Sequence, residues 1–474
     1  MVLRITGKEL LQNLLSLRFT LSALLIVALF GTGAFVFVGR YEQELKDYRK
    51  ETDKNASALR EHSSHLYKLA HYRQAIMREP KVLALCSEGF EKSLPNRFVT
   101  NAFSMRRPTV KSRGNPVLPL LRDVDWVFIV STMLSFVAMI LTYDALSGER
   151  EAGTMRLVLS GPVTRAKVLA GKYIGAMLTL GIPLVLGLVV NLIIVRSYGV
   201  AVIRPAEWPK IVAIVLVSFA YVSIFVLLGL LVSGTMRHSA SSMVVLLLLW
   251  VVLVILIPSS GRLVARALRN VSTQAAMERR SAAAIQEVVD NVLAGKYGKN
   301  AGNFTSDRES PIVNPPARAR FRGAMTEVGN RMLEDHIAQL IAQARAGRQF
   351  VRLSPVVLYQ CTAEAMAGTG IDRWRNLYQQ IKDYQGELRE YVRVKDLEDP
   401  RSLHLLFEAE HEAAAWNTIS RKPADFEGVP KFQERRMTLG ESLKSSIWDV
   451  GLLVALNVVL FTAAHVSFTR YDVR

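Results

Sequence analysis

The sequence contains little cysteine and little negative charge. Its two cysteines, Cys86 and Cys361, are too few for a disulfide-stapled miniprotein. The 41 acidic residues against 59 Lys and Arg leave a net charge of +18 over 474 residues. Half of the residues are hydrophobic, which excludes an intrinsically disordered chain. In a chain with long apolar runs, a basic excess indicates contact with anionic lipid, and we predict no nucleic-acid partner.

The sequence also has no phosphate-binding loop of the form G-x-x-x-x-G-K-[ST], whose backbone amides would cradle the phosphates of ATP. Lys172 follows a glycine, but the next residue is Tyr173 and the position of the earlier glycine is Ala166. Lys299 also follows a glycine, and the next residue is Asn300. We therefore expect no catalytic residues, no ATPase activity and no cofactor in this chain.

Apolar runs of about 20 residues recur along the chain, and a helix of that length crosses a bilayer. The first run is followed by Gly39 and Arg40 with no small-residue cleavage pattern, so we interpret it as a permanent anchor. The predicted fold class is an all-α polytopic membrane protein with six transmembrane helices. These spans cover residues 19–38, 126–143, 173–195, 211–232, 242–258 and 447–468.

Positive charges in the short segments predict the orientation, because loops rich in Lys and Arg stay in the cytoplasm. Segments 1–18, 144–172, 233–241 and 469–474 carry such charges and fall on one side of a six-span chain. We therefore expect a multi-pass protein of the cytoplasmic (inner) membrane with both termini in the cytoplasm. Residues 1–18 have the pattern of a helix lying in the membrane interface, the alternative being an extension of span one.

The other segments are predicted on the opposite side of the membrane. Two are large, 39–125 and 259–446, and the third is a short loop, 196–210. Helical periodicity dominates both large segments and no run of alternating strands is convincing, so we predict two mostly helical extracytoplasmic domains. Each contains one cysteine. An oxidising compartment would allow a disulfide between Cys86 and Cys361, but we favour two buried thiols.

The loop between spans two and three carries the most specific pattern, YDALSGEREAGTMRLVLSGPVTRAKVLAGK from Tyr143 to Lys172. It resembles the cytoplasmic loop of ABC-2 type transporter permeases, whose pattern is D-x4-E-R-E-x-G-T-x4-L-S-x-P-V-x-R-x5-G-K. The two large segments and a C-terminal Phe-x-Arg-Tyr-Asp-Val-Arg extend the resemblance over nearly the whole chain. The matching residues of the loop are Asp144, Glu149, Arg150, Glu151, Gly153, Thr154, Leu159, Ser160, Pro162, Val163, Arg165, Gly171 and Lys172.

The residues of this loop predict a sharp elbow and then a short helix on the membrane surface. Gly153 permits a tight backbone turn, and Thr154 is placed to cap a helix over residues 155–159. The resemblance implies that this is the coupling helix, and we expect the charged trio 149–151 to face an ATP-binding subunit. The residues assigned to ATPase coupling are Asp144, Glu149, Arg150, Glu151, Gly153, Thr154, Pro162 and Arg165.

The resemblance also implies the function and the partners. It predicts the permease subunit of an ABC exporter, with ATP and Mg bound by a separate ATPase subunit and a second permease protomer, identical or related, beside it in the bilayer. The alternative is a mechanotransmission or receptor-type protein. In that case the ATPase would drive the extracytoplasmic domains to bind or release an envelope partner, and nothing would cross the membrane.

Two further groups of polar residues need interpretation. Asn191 and Asn457 are polar outliers within predicted spans, where such residues face protein or a water-lined path. We expect a role in the conduit or in helix packing. His62 and His65 have the i,i+3 spacing of a shared metal site, but a solvated polar helix is the interpretation that we favour, and we predict no metal site.

Overall fold

The computed structural model describes residues 2–89, 94–110, 124–155, 164–268, 274–298, 314–409 and 417–470. Within them, six helices are long and apolar enough to cross a membrane, which confirms the six-span, mostly helical architecture. We call the end of the bundle that carries the loop between spans two and three the loop side, and the opposite end the domain side. The spans are Leu17–His62, Trp126–Glu151, Arg165–Ser197, Pro205–Thr235, Ser239–Ala265 and Leu439–Thr469.

Helices account for most of the described residues on both sides of the bundle. In chain order the α-helices are α1 (Val2–Leu14), α2 (Leu17–His62), α3 (Leu66–His71), α4 (Trp126–Phe128), α5 (Ser135–Thr142), α6 (Ser147–Glu151), α7 (Arg165–Ser197), α8 (Trp208–Thr235), α9 (Ser239–Trp250), α10 (Ile257–Leu268), α11 (Gln274–Leu293), α12 (Pro315–Val351), α13 (Pro355–Ala367), α14 (Ile371–Leu397) and α15 (Leu439–Thr469).

Spans two and five each contain a π-helical segment, Ile129–Leu134 and Val251–Leu256. Such segments leave backbone groups free for side-chain bonds and are frequent at functional positions. Residues next to these segments are in contact, because the indole Nε1 of Trp250, directly before the second segment, donates a hydrogen bond of 3.0 Å to the hydroxyl of Ser135, directly after the first. Spans two and five are therefore joined beside their π-helical segments.

Helix α1 packs across the start of span three. A break separates it from α2, where the Ser16 hydroxyl caps the new helix by accepting a hydrogen bond from the amide of Phe19. A Cβ atom at Gly171 would lie 2.7 Å from the side chain of Ile5, so only glycine allows the two helices to approach this closely. Leu3 stays 85% exposed, as on a helix whose outer face meets the bilayer surface. The break at Ser16 makes α1 a helix separate from span one, and its place in the membrane interface stays a prediction.

The first domain-side segment differs from the sequence prediction. α2 continues 24 residues past the predicted end of span one to His62, and a three-stranded antiparallel sheet follows α3. The strands β1 (Gln74–Met77), β2 (Arg97–Thr100) and β3 (Met105–Thr109) pair in sequence order. The sequence analysis found no convincing run of alternating strands and so missed this small sheet within a mostly helical fold. Four or five residues per strand, with Arg and Pro in β3, are too few to produce a recognisable alternation.

The two domain-side segments share hydrophobic cores. Phe98 of β2 packs in one cluster with Leu333 of α12 and Trp374 of α14. A second cluster joins Leu66 of α3 to Leu388 of α14. The segments are therefore one packed body, although the sequence analysis divides them into two domains. Contacts between residues 235 to 322 positions apart leave no local pattern in the sequence.

Helix α13 was predicted within the second domain, but it packs inside the membrane bundle. The hydroxyl of Tyr359 lies 2.8 Å from that of Ser218 in span four, and its ring stacks on Tyr221 at 4.8 Å between centroids. At the start of the helix, the Ser354 hydroxyl donates to the carbonyl of Leu253 in span five, at 2.6 Å. The apolar run of α13 is too short to span a bilayer, which is why the sequence assigned it to the domain.

Buried ion pairs connect the two domain-side segments near the start of span four. The guanidinium of Arg373 lies 3.0 Å from Glu434, and Lys81 lies 3.2 Å from Glu434 and 3.1 Å from Glu79. Burial alone would raise the pKa of Glu434, but the charges of Arg373 and Lys81 outweigh it and hold that pKa below its usual value. Removal of one partner from such a cluster leaves an uncompensated buried charge.

We expect Arg373→Met to destabilise the protein by about 3–5 kcal/mol, because Glu434 then loses its principal buried partner. Arg375→Met is the matched control, since Arg375 is an exposed residue of the same helix. The melting temperatures of the two purified variants check the prediction. Equal melting temperatures would show that the buried cluster does not stabilise the domain-side body.

Candidate functional site

The elbow predicted from the sequence is a compact turn at the loop side, formed by residues 143–155. Within span two, helix α5 ends at Thr142, and after a short turn the chain continues as the short helix α6. The backbone amides of Leu146 and Ser147 both donate to the hydroxyl of Ser233 in span four, each at 3.0 Å. The elbow is therefore held against span four by its own backbone.

Arg150 contacts the end of span four. Its Nη1 donates to the carbonyl of Met236 at 2.9 Å, and its Nη2 donates to the carbonyl of Gly234 at 2.5 Å. These carbonyls lie at the C-terminus of α8, where a helix leaves its last carbonyls without intrahelical donors and carries partial negative charge. A guanidinium is well suited to this position because its planar fork reaches two carbonyls at once.

Glu151 contacts the start of span five. One carboxylate oxygen accepts from the backbone amide of Ser239 at 3.0 Å, and the other accepts from the Ser239 hydroxyl at 2.7 Å. Ser239 is the first residue of α9, so the carboxylate lies at the positive end of that helix. Arg150 and Glu151 thus hydrogen-bond the backbone groups at the C-terminus of span four and at the N-terminus of span five.

Glu149 is joined to span three and to α1 through one lysine. The Nζ of Lys172 lies 2.8 Å from Glu149 and 2.7 Å from Glu9, and the Lys172 side chain is only 4% exposed. An ammonium group buried to this extent is costly unless it is paired and hydrogen-bonded. Two carboxylates from different helices meet this requirement, so Lys172 fixes α1, α6 and α7 together.

Two further contacts reach spans one and six. Arg18, near the start of span one, lies 3.0 Å from Asp144, in an ion pair exposed enough that its energy is at most about 1 kcal/mol. Arg165, at the start of span three, donates to the carbonyls of Phe468 and Thr469 at the end of span six, at 3.2 and 2.6 Å. We call the set Asp144, Glu149, Arg150, Glu151, Arg165 and Lys172 the loop-side clamp.

These contacts correct the expected orientation of the charged trio. The sequence suggested that Glu149, Arg150 and Glu151 face a partner subunit, but each forms its contacts with the chain's own spans. The reason is physical, since the end groups of helices at a membrane surface need partners and the elbow is the nearest source of charge. Lys172 matched the loop pattern but was not among the predicted site residues, and nothing in the sequence singled out Glu9.

The backbone of the elbow turns sharply at Gly153, as the sequence predicts. Gly153 has φ = +70°, the left-handed conformation in which glycine is favoured. The Thr154 hydroxyl donates to the carbonyl of Glu149 at 3.2 Å, and its role as a helix cap stays a prediction. Pro162 and most of the predicted coupling helix, residues 156–163, lie outside the described residues.

The two asparagines within the spans form contacts between helices. The amide of Asn191 donates to the carbonyl of Phe30 at 2.8 Å and accepts from the indole of Trp126 at 3.1 Å, which joins spans three, one and two. The amide of Asn457 donates to the carbonyl of Ala220 at 2.9 Å, which joins spans six and four. Both sets of contacts are those of helix packing, and a role in the conduit stays a prediction.

The buried lysine of the clamp provides a direct test. We expect Lys172→Met to lower the melting temperature by several degrees, because Glu9 and Glu149 are then left together without their cation. In a double-mutant cycle, Lys172→Met combined with Glu149→Gln should cost less than the sum of the single changes, with a coupling of about 0.5–3 kcal/mol. Lys167→Met, an exposed change on the same helix, is the control. Strictly additive effects would contradict the paired arrangement.

Comparisons with known proteins agree with this architecture. Residues 3–473 match the family described as ABC-2 family transporter protein. The probable ABC transporter permease proteins NosY of Stutzerimonas stutzeri and of Pseudomonas aeruginosa are each 38% identical to the chain over 55 residues. That stretch is 12% of this chain, and it spans about a fifth, 20%, of the length of either relative. The match over nearly the whole chain shows that this protein belongs to the ABC-2 transporter family, as a multi-pass permease subunit of an ABC transporter.

Proposed function

We propose that this permease couples a separate ATP-binding subunit to export through the membrane. ATP and Mg would be bound by that subunit, and this chain would supply the spans and the elbow. The observation that carries the proposal is the loop-side clamp, in which six side chains on spans two and three join these two spans to each other and to the ends of spans one, four, five and six. A loop that only marked topology would need no such contacts.

The clamp gives a physical route for coupling. A force applied to the elbow acts on span four through Arg150, on span five through Glu151 and on span three through Glu149 and Lys172. Charge-assisted hydrogen bonds of this kind are roughly twice as strong as neutral ones, and the buried lysine cannot leave its carboxylates cheaply. Movement of the ATP-binding subunit at the elbow would therefore shift several spans together.

The loop side would face the cytoplasm, where ATP is available, in the inner membrane. A second permease protomer, identical or related, would complete the conduit. The burial of the spans supports an assembly of this kind. In the most apolar 18-residue stretch of spans five and six, only 17% and 11% of the residues are buried within one chain, whereas the share is 67% in span two. These open faces are available to the bilayer and to the second protomer.

One observation favours the alternative of mechanotransmission without transport. α13 belongs to the domain-side segment but contacts spans four and five through Tyr359 and Ser354. Movement of those spans would therefore reach the domain-side body directly. ATP-dependent flux into sealed vesicles distinguishes the two functions, because mechanotransmission predicts ATP hydrolysis with no flux.

The orientation can be tested with single cysteines. The native thiols give little background, since Cys86 is fully buried, which raises its pKa, and Cys361 is 8% exposed. We expect a membrane-impermeant maleimide to label Lys54→Cys in intact cells, and to label Arg237→Cys only after permeabilisation. Labelling of Arg237→Cys from outside intact cells would invert the assignment.

Coupling can be tested at the elbow glycine. Gly153→Val forces a β-branched residue into a left-handed conformation that costs it of order 1–3 kcal/mol, so the elbow should distort while the spans still insert. We expect the variant to lose association with the ATP-binding subunit or to hydrolyse ATP without transport. The control is Gly7→Val, at a loop-side glycine with open space and no positive φ. If Gly153→Val co-purifies with the ATP-binding subunit and couples ATP hydrolysis to transport as the wild type does, the elbow has no role in coupling.

A further inference from the structure

A cavity of about 640 Å³ lies where the domain-side body meets the end of span five. Pro258 and Ala265 line it from α10, at the end of span five, and Leu340 and Ala344 line it from α12. Nothing in the clamp or in the proposed coupling route uses these residues. The volume is within the range of roughly 300–1,000 Å³ that is typical of small-molecule sites.

The walls of the cavity are mainly apolar. Ile337, Leu340 and Val357 contribute aliphatic side chains, and Trp374 contributes an aromatic one. Leu263 of α10, on the same stretch of span five, is 71% exposed. An apolar chamber that begins at the end of a membrane span is accessible to molecules dissolved in the adjacent leaflet.

A small number of polar groups face the same space. His336 is only 6% exposed, and neither of its ring nitrogens has a hydrogen-bond partner within the part of the chain that the structure describes. Buried polar groups are nearly always hydrogen-bonded, so an imidazole in this state indicates a missing ligand. Arg107 also lines the cavity, near enough that its charge adds to the effect of burial in lowering the pKa of His336.

The charges around the cavity favour an acidic ligand. Among the described residues that line it, the one carboxylate is Glu364, which is paired with Arg348. Within this described lining, Arg107 at the exposed edge therefore adds a positive charge in excess. Burial and the charge of Arg107 lower the pKa of His336, and in its neutral form the imidazole offers one nitrogen that can donate and one that can accept a hydrogen bond.

We propose that this cavity binds a single-chain amphiphile with an acidic head group, which enters from the domain-side leaflet. The alkyl chain lies against Leu340, Ala344 and Val357, and the head group contacts His336 and Arg107. The volume is sufficient for one alkyl chain but not for a complete two-chain lipid. This binding site requires neither the ATP-binding subunit nor transport, so its test is separate from that of the proposed function.

Photo-crosslinking in phosphatidylcholine nanodiscs tests the site. The probe is palmitic acid with a diazirine near the end of its chain, and labelled residues are mapped by mass spectrometry. We expect labels on residues 336–344 and 258–265 of the wild-type chain. Labels spread over the lipid-facing surfaces of the spans, with none enriched at the cavity, would overturn the proposal.

Two matched pairs of variants test the contacts of the alkyl chain and of the head group independently. Ala344→Phe fills the cavity and should abolish the label, whereas Ala338→Phe, an exposed change on the same helix that does not line the cavity, should not. Arg107→Gln should lower the label about tenfold, the change expected for the loss of one charge-assisted hydrogen bond, whereas Arg106→Gln on the same strand should not. If Ala344→Phe does not fold, the Arg107 pair decides, because Arg107 is exposed.

Competition identifies the source of the ligand. Unlabelled palmitate added from water and palmitoyl lysophosphatidate incorporated in the nanodisc share the alkyl chain and the acidic character. Competition by either supports the proposal, and the stronger competitor shows whether the site takes a free acid or a membrane phospholipid product. Equal labelling by a diazirine-bearing hexadecanol, which has no charge, would overturn the role of the acidic head group.

Discussion

The structure of the loop side depends on one constraint, which is that the backbone groups at the ends of membrane helices need hydrogen-bond partners. A helix leaves its first amides and its last carbonyls without partners inside the helix, and at a membrane surface water satisfies them only in part. Here Arg150 contacts the last carbonyls of span four, Glu151 the first amide of span five, and Arg165 the last carbonyls of span six. The same side chains that complete the helices also join them, so the loop side is rigid where a partner subunit would act.

The domain side is joined to the bundle in a different way. α13 inserts between spans four and six and carries Tyr359 to the middle of span four, where the tyrosine stacks on Tyr221. Tyr221 in turn donates to the carbonyl of Ser131, within the π-helical segment of span two. A continuous set of contacts thus runs from the elbow along spans two and four to the domain-side body. Such a set supports transmission of movement in either of the two proposed functions.

The sequence was informative wherever the signal is local. Apolar length predicted six spans, the loop pattern predicted the family, and a glycine after the charged trio predicted the tight turn at Gly153, where φ is +70°. It was uninformative wherever the partner is distant. The role of Lys172 depends on its contact with Glu9, which is 163 positions away in the sequence. The sheet of β1 to β3 is formed by strands that are too short to show alternation. The charged trio was assigned to a partner because its true partners, the ends of spans three, four and five, are set by the packing of the whole bundle.

If the loop-side clamp moves as one body, distances between spin labels within one chain stay constant while the protein works. Labels at Lys167→Cys and Arg237→Cys lie on exposed positions of span three and of the turn between spans four and five. In the complex with the ATP-binding subunit, we expect this distance within one chain to stay unchanged between the nucleotide-free and ATP-bound states. The distance between Arg237→Cys labels in the two permease protomers should change. A change within the chain, with a constant distance between protomers, would show that the clamp does not move as one body.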